Sequence, residues 1–453
     1  MKKIVIIGNG ISGITAARHI RKMSDYAITV ISAETEHFFS RTALMYIYMG
    51  HMNYAHTKPY EDWFWEKNNI NLVRDFVTTI DTNGKEVYLQ SGGKMNYDVL
   101  ILGTGSKPNK FGWPGQDLKG VQGMYSYPDL ENMEIYTKNI QHAVIVGGGL
   151  IGLEMAEMLQ SRKIPVTFLV REQSFWNGIL PAEESNMVNK HIRSHHVDLR
   201  LETELTEMLS DENGRVRAVI TNKGETISCQ FVGLTAGVSP NIEFIKTSDL
   251  SGRQTKIHTD RGIVVNEFFE TNIPDVYAIG DCAQFAPPIS GRKPIEQVWY
   301  TGRMHGETVA QTICGNRTAY RPRPWFNSAK FFDIEYQVYG DIKNQVPEDE
   351  DFLYWEHPKG KKSIRIVYEK KTTRVLGFNL MGIRYRHGVC DRWLREGAGL
   401  KQVIQNLKKA NFDPEFYQEY EDELLKIYNE KFPADLVKST SRRGLFSLLA
   451  KQK

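Results

Sequence analysis

The sequence predicts an α/β fold of two similar halves, each with an inserted β-meander, followed by a C-terminal α+β segment. Three observations predict it. An apolar strand, Ile4-Val5-Ile6-Ile7, runs into the glycine turn Gly8-Asn9-Gly10-Ile11-Ser12-Gly13. A second strand, Val144-Ile145-Val146, runs into Gly147-Gly148-Gly149-Leu150-Ile151-Gly152. Third, Val99–Asn109 (VLILGTGSKPN) aligns without a gap to Phe231–Asn241 (FVGLTAGVSPN), with glycine, proline and asparagine coinciding.

Each turn opens a helical stretch, through Lys22 in the first half and to about Gln160 in the second. A further apolar strand follows each, Ile28 to Ile31 and Val166 to Val170. Strand, glycine turn, helix, strand is the βαβ unit of a Rossmann-like dinucleotide-binding fold. The first meander has Phe76–Ile80, a turn at Asn83-Gly84, then Val87–Gln90. Asn-Gly signals a hairpin because both residues tolerate positive φ. Asn213-Gly214 and Lys223-Gly224 mark the same place in the second half. The segment Asp275–Asp281 reads as a short buried strand ending in Gly-Asp, and an amphipathic helix from Gln297 to Cys314 returns the chain to the first half.

Beyond residue 321 the texture changes. Strand-like runs lie at Phe331–Tyr339, Ser363–Tyr368 and Val375–Gly382, and helices are predicted over His387–Lys409 and Pro414–Asn429. The tail 438–453 carries Lys438, Arg442, Arg443, Lys451 and Lys453 without an acid. The expected division is 1–115 with 245–320, then 116–244, 321–437 and the basic tail. A length of 453 residues agrees with about three domains at ~150 residues each.

Composition excludes several classes. With 41% hydrophobic and 25% charged residues, the chain is neither disordered, collagen-like nor a disulfide miniprotein. A net charge of +3 is too small for a dedicated nucleic-acid binder. No apolar run reaches the ~18 residues of a membrane span, and the N-terminal apolar stretch is too short for a signal-peptide core. Cys229, Cys282, Cys314 and Cys390 form no CxxC pair and have no plausible zinc partner beside them. Four reduced cysteines, a cytoplasmic location and no metal site are therefore expected.

The glycine turns carry the chemistry. Gly8 allows the tight turn, Gly10 leaves room for phosphates, and Gly13 lets helix and strand pack closely; Gly147, Gly149 and Gly152 repeat the set. The free N–H groups and dipole of each helix face the anion. An acid about 20 residues beyond such a turn binds an adenosine ribose. Glu34 lies 21 residues past Gly13, while Arg171 and Glu172 lie 19 and 20 past Gly152. An arginine there pairs with a 2′-phosphate, which favours NADPH. The alternative is a solvated Arg171–Glu172 pair at a strand end.

These residues resemble the FAD-dependent pyridine nucleotide–disulfide oxidoreductase superfamily, with its glutathione-reductase fold. The resemblance covers about residues 1–385. Its carriers are GNGISG, GGGLIGLE, YDVLILGTGSKP, TAGVSPN and VYAIGD, the last ending at Asp281. It implies FAD at the first turn and NAD(P)H at the second. Gly280 and Asp281 would meet the ribityl and phosphate region, Glu34 the adenosine ribose, and Thr104 and Gly105 the side of FAD. Glu154 would lie near the nicotinamide ribose and Gly237 on the nicotinamide side. Val298 backbone groups would reach the flavin pyrimidine edge. Arg41, in Ser40-Arg41, and Val77 join the implied cofactor-binding set. A homodimer through the C-terminal α+β domain is also implied.

Departures from the family pattern set the subclass. Residues 1–228 contain no cysteine. Single-cysteine members have a stretch like Cys-Ala-Leu-Pro-Tyr, where this chain has Thr42-Ala43-Leu44-Met45-Tyr46. A threonine hydroxyl forms neither a mixed disulfide nor a sulfenic acid. The resemblance is therefore to the ferredoxin-, rubredoxin- and nitrite-reductase-like branches, which lack redox cysteines. It implies hydride transfer from NAD(P)H to flavin N5, then electron transfer to an external acceptor protein or small acceptor. Those branches place a lysine near N5, and Tyr46, or its neighbour Met45, stands there. Cys282, next to Asp281, is read as structural.

Two other readings stay open. Glu296-Gln297-Val298 faintly resembles the Ala-Gln-x-Ala motif of peripheral NADH:quinone oxidoreductases. Leu445, Phe446, Leu448 and Leu449 in the basic tail would suit an anionic membrane, although a frayed, solvated tail is the commoner case. A redox-sensing interaction flavoprotein would use aromatics such as Trp325, Phe326, Trp355 and Trp393, residues that more often build a core. The aromatic run from Tyr46 to Trp65 is likewise read as packing.

Overall fold

The computed structural model describes residues 1–247, 249–250, 253–254, 257–289, 291–413 and 418–438. Most of the basic tail and the first residues of the predicted 414–429 helix lie outside the described residues. The chain divides into two compact units. The first holds Met1–Leu169 and Thr203–Arg321; the second holds Val170–Glu202 and the chain from Pro322 onward.

In the first unit, a parallel sheet orders its strands Val276–Ala278, Val99–Leu102, Lys3–Ile7, Ala27–Ser32 and Ile70–Arg74. Strands Val99–Leu102 and Ala143–Val146 are buried throughout, as parallel strands covered on both faces must be. Helix Ile11–Met23 crosses from the first strand to its neighbour and buries Ile14, Ala16, Ala17 and Ile20. It packs along helix Trp299–Ile313 with Gly306 at the crossing, where a Cβ would meet the Ser12 carbonyl at 2.5 Å. A second parallel set runs Val166–Leu169, Ala143–Val146, Phe231–Leu234 and Val121–Gln122. Each set has its own core, one drawn from residues 4–102 and 242–320, the other from 121–234.

The meanders form three-stranded antiparallel sheets, Val77–Asp81 to Lys94–Asn96 and Leu205–Ser210 to Thr226–Ser228. Gly214 and Gly224 take positive φ in the second, as their sequence signals predict. In the first the expectation fails in detail. The hairpin turns at Asn83-Gly84 within a four-residue loop, but the left-handed residue is Lys85, at φ 51°, and not Asn83 or Gly84. Asp81 is the reason: its Oδ1 accepts the N–H of both Asn83 and Gly84, an Asx turn that displaces the two-residue form. The gaplessly aligned segments meet each other. Ser106–Pro108 pairs antiparallel with Val238–Pro240, a two-stranded ribbon between the duplicated halves.

The second unit is a five-stranded antiparallel sheet, ordered Phe326–Phe331, Ile334–Gly340, Val375–Met381, Ser363–Glu369 and Glu350–Glu356. The run Phe331–Tyr339 is thus the joint of a hairpin, turning at Phe332 with φ 54°, and not one strand. The helix predicted over 387–409 breaks at Gly397, which takes the left-handed C-cap conformation after His387–Glu396. Leu400–Asn406 follows, and Glu421–Lys431 is the last helix described.

Residues 170–202, expected within the 116–244 segment, pack with this sheet. The clamp is Arg365, 1% exposed, whose guanidinium bonds both oxygens of Glu184, 0% exposed, at 2.7 and 2.9 Å. It also donates to Glu183 at 2.6 Å, and Asn379 donates to Glu184 at 3.1 Å. The Phe352 and Tyr354 rings lie 4.2 and 4.6 Å from the guanidinium. Among the described residues no helix is long and apolar enough to cross a membrane.

Removing one partner of a buried, hydrogen-bonded charge pair leaves the other stranded. Arg365→Ala is expected to lower unfolding stability by about 3–5 kcal/mol in a urea titration, with Arg365→Met/Glu184→Leu recovering most of it. A loss below about 1 kcal/mol would show that the pair is not the clamp.

Candidate functional site

One cleft of about 580 Å³ lies in the first unit, at the carboxyl ends of its parallel strands. Ile7, Ile31-Ser32, Gly103 and Gly280 line it, each at or just past the end of a different strand. Ligands in open α/β sheets bind at this edge. Helix Ile11–Met23 points its N-terminus into the cleft through Gly10, Ile11 and Ser12. Its first turn has no acid, and its N-cap Gly10 makes no side-chain cap. The free N–H groups and the positive end of the dipole are therefore left for an anion.

The three glycines do three different things. Gly8 sits at φ +109°, and a Cβ there would lie 2.1 Å from the Gly103 carbonyl oxygen. At Gly13 a Cβ would lie 2.1 Å from the Gly8 carbonyl. At Gly10 nothing lies within 4 Å, so a side chain would project into the space a phosphate needs. The second turn repeats the set: Gly147 at φ +116° against Thr235, Gly152 against the Gly147 carbonyl, and Gly149 open. Helix Leu150–Ser161 begins there, also without an acid in its first turn or a side-chain cap. The residues present fit a dinucleotide at the first turn and a second nucleotide at the other.

Polar groups converge at the floor. Asp281 Oδ2 accepts from Ser106 Oγ at 3.1 Å and from the Tyr125 hydroxyl at 3.2 Å. Burial pushes its carboxyl up, and Ser106, Tyr125 and Arg41 pull it back. Gln297 Nε2 donates to Ser106 Oγ at 2.7 Å, closing the chain of bonds. Beneath them, the Gly280 N–H donates to Nδ1 of His305 at 3.1 Å. His305 is buried among Phe269, Phe285 and Tyr320, and desolvation drives its pKa down to about 3. It is a neutral acceptor at Nδ1 that fixes the Gly280-Asp281 turn. At one end, Glu34 accepts both guanidinium nitrogens of Arg41, at 2.9 and 2.7 Å, and the Tyr127 N–H at 2.7 Å. Arg41 also donates to the Tyr125 carbonyl at 2.6 Å.

The opposite wall comes from the second half. Ile151, Glu154, Met155 and Met158 of helix Leu150–Ser161 reach the cleft. Arg162 ties this helix to Leu44–Tyr48, donating to the Tyr48 carbonyl at 3.1 Å and lying 3.5 Å over the Tyr48 ring. Burial raises the Glu154 carboxyl to about 7, with Glu157 adding repulsion.

Of the predicted residues, the cleft brings together Gly8, Gly10, Glu34, Arg41, Val77, Thr104, Gly105, Glu154, Gly280 and Asp281. Gly13, Gly147, Gly149 and Gly152 shape the turns from outside the lining. Gly237 immediately precedes Val238–Pro240, which pairs with Ser106–Pro108, and Val298 sits between the lining residues Gln297 and Trp299. Arg171 is 70% exposed and pairs with Glu172 at 3.0 Å. Tyr46 does not line the cleft. Its ring stacks on His51 while Met45, on the buried face of the same short helix, takes the cleft position. Ser106, Tyr125 and His305 escaped the sequence reading. Ser106 sits in a quoted motif but opposite a valine, Val238, in the aligned copy, while Tyr125 and His305 carry no motif at all.

No cysteine lines the cleft, and Thr42 does. Cys282 is buried with its thiol toward the Leu102 and Ile279 carbonyls, and burial pushes its pKa up. Cys229 is pushed up to about 12 by the same cause.

Residues 2–306 match the family described as Pyridine nucleotide-disulphide oxidoreductase. The chain belongs to this family. It is 31% identical over 356 residues to the NADH-rubredoxin oxidoreductase of Clostridium acetobutylicum, covering 76% of this chain and 83% of that one. It is 30% identical over 287 residues to the Nitrite reductase [NAD(P)H] of Bacillus subtilis, covering 62% of this chain but 34% of that much longer relative. It likewise spans 39% of the Assimilatory nitrate reductase electron transfer subunit of the same organism. Among solved structures, the A. fulgidus NAD-dependent persulfide reductase shares the fold, with a TM-score of 0.81 at 24% identity, covering 95% of this chain and 83% of that one. The two-dinucleotide-domain flavoprotein fold expected from the motifs is the fold of this family member.

The raised Glu154 carboxyl has a consequence for stability. Its folded value lies above the ordinary 4.5, so the native state holds a proton that the unfolded chain releases. Stability is therefore lost as pH rises from about 4.5 to about 7, then levels off. With solvent reaching into the cleft, the loss should be about 1–3 kcal/mol. Glu154→Gln should flatten that limb in denaturant titrations across pH, and an unchanged slope would show that Glu154 titrates normally.

Proposed function

We propose that this chain is an NAD(P)H-dependent FAD oxidoreductase that delivers electrons to an external acceptor without a redox thiol. The observation that carries this reading is the cleft lining, where Thr42 stands in place of a nucleophilic cysteine and none of the four cysteines is present. A bound flavin supplies the hydride and electron chemistry that side chains lack. The 1–115 and 245–320 segments would hold FAD, and 116–244 NAD(P)H.

The first helix N-terminus and Gly10 would receive the FAD pyrophosphate. Asp281, oriented by Ser106 and Tyr125, would bond the ribityl hydroxyls. Glu34 would take the adenosine ribose, with Arg41 holding its carboxylate in place. Glu154 on the opposite wall would orient the nicotinamide side. Met45 offers a thioether and no proton where a lysine would donate one. In this reading Tyr46 supports the helix and does not donate to the reacting atoms.

The relatives named for rubredoxin and nitrite support the acceptor class. A one-electron iron–sulfur or nitrite-reductase-type protein is the acceptor proposed. NADPH is preferred over NADH only through Arg171, and the C-terminal unit would support a homodimer. Anaerobic protein with FAD should be reduced by NAD(P)H and then reduce rubredoxin or ferredoxin in turnover. Fast quinone reduction with no iron–sulfur acceptor reduced would remove this reading. Arg171→Ala should raise KM for NADPH by about ten-fold and leave that for NADH unchanged, as expected for one lost charge-assisted contact. Equal effects on both would withdraw the NADPH preference.

A further inference from the structure

In the second unit, three side chains that line no part of the cleft turn their ligand atoms on one point. His191, in the last turn of helix Ala182–Ser194, and His195, the C-cap residue, stand at i and i+4. Asp333 comes from the hairpin turn between Phe326–Phe331 and Ile334–Gly340. His195 Nε2 lies 3.2 Å from His191 Nε2 and 3.3 Å from Asp333 Oδ1, and His191 Nε2 lies 2.5 Å from Asp333 Oδ1. All the ligand atoms fall within 4.8 Å of one another.

The turn that delivers Asp333 is a strained one. Phe332 takes φ 54°, a conformation that two-residue hairpins usually assign to glycine or asparagine. Strain in a bulky residue persists where the surroundings enforce it, and such sites gather at ligand clamps. Here it lays the Phe332 ring parallel to His195, 4.2 Å away and 7° off plane, and places the carboxylate against both imidazoles. Lys361 binds the far oxygen, Oδ2, at 2.8 Å, which orients the carboxylate and leaves Oδ1 facing the histidines.

We propose that His191, His195 and Asp333 form a binding site for a borderline divalent transition-metal cation, Zn²⁺ above all, completed by water. Two imidazoles and a carboxylate are a donor set suited to Zn²⁺, and histidines four apart on a helix present one face to it. Ligands bonded at about 2.0–2.1 Å in a tetrahedron lie ~3.3 Å apart. Two of the three separations already have that length. The third is a hydrogen bond that would open as the cation replaces its proton. His191 is buried, whereas the side chains of His195 and Asp333 are 35% and 55% exposed, giving the ion and a water ligand a way in. The cation would pin the 170–202 helix to the C-terminal sheet on a second point besides Arg365. The cysteines turned attention from this site in the sequence, where His-x-x-x-His at 191–195 was its one signal.

The test is a titration of the EDTA-dialysed full-length protein with Co²⁺ as a spectroscopic probe and with Zn²⁺, metal content being measured by mass spectrometry. One ion per chain, a tetrahedral-type Co²⁺ band and a Tm raised by Zn²⁺ are expected. Asp333→Asn and His195→Gln are partly exposed positions chosen to keep the fold, which circular dichroism checks. Each should weaken binding by more than the ~10–100-fold that loss of an outer-shell partner costs. Absence of a band and of stoichiometric metal in the unsubstituted protein overturns the site and leaves a hydrogen-bonded triad. Unchanged affinity in both folded variants overturns it equally, by placing the ion elsewhere.

Discussion

The first half depends on a backbone contact that only glycine permits. Gly8 meets the Gly103 backbone and Gly13 the Gly8 backbone at distances where a Cβ would clash, and a Cβ at Gly280 would clash with the Ser12 side chain. These contacts draw the first helix down onto the ends of three neighbouring strands. The helix N-terminus can then open onto the cleft at the level where Asp281 and Thr104 stand. A single methyl at Gly8 or Gly13 would push the helix away, and the floor, the helix dipole and the Gly-Asp turn would lose their common register. The clash is with backbone, which cannot rotate aside as a side chain can.

Duplication places a second glycine turn on the first unit in the same way as the first. The same contact recurs at Gly147, Gly152 and Thr235 in the second half, so its helix is placed on its own strands in the same way. The copies are joined through the segments that align best. Gly105 at φ 71° and Gly237 at φ 85° redirect the chain into the Ser106–Pro108 and Val238–Pro240 ribbon. Ser106 thus serves twice, pairing with Pro240 in the ribbon and donating to Asp281 in the cleft. Arg162 on Tyr48 adds a second tie, and that tie brings Glu154 and Met155 opposite Met45.

What was legible in the sequence was whatever backbone geometry enforces. Glycine turns between strand and helix announce themselves because no other residue fits; of the ten predicted residues that meet in the cleft, four are glycines, and the other six rest on spacing or on the family resemblance. Asn83-Gly84 marks its hairpin correctly but not the conformation of the loop, which is decided by a side chain, Asp81, that satisfies two backbone donors. The strand Glu350–Glu356 was missed because EDFLYWE begins with two acids and has no clean alternation; Glu350 is nonetheless buried, paired with Lys343. Tyr125, Ser106 and His305 were invisible for a different reason. Their roles come from hydrogen bonds across 25 to 175 residues of chain, and spacing in one sequence holds no trace of such partners.

The absence of a thiol in the cleft and the character of the groups that replace it point the same way. Thiol relays need a low-pKa cysteine beside the cofactor. Here the three buried cysteines have their thiols raised by desolvation, and neither Thr42 nor Met45 supplies a thiolate. The titratable group facing the cleft from the second half is Glu154, whose value near 7 lets it hold or release a proton under ordinary conditions. His305, by contrast, is kept neutral by burial, so the floor beneath Asp281 gains no charge over the same range. Under the proposed function, a site built this way would leave electron storage to a bound cofactor. The chain's own contribution would be position, together with the proton that Glu154 can exchange.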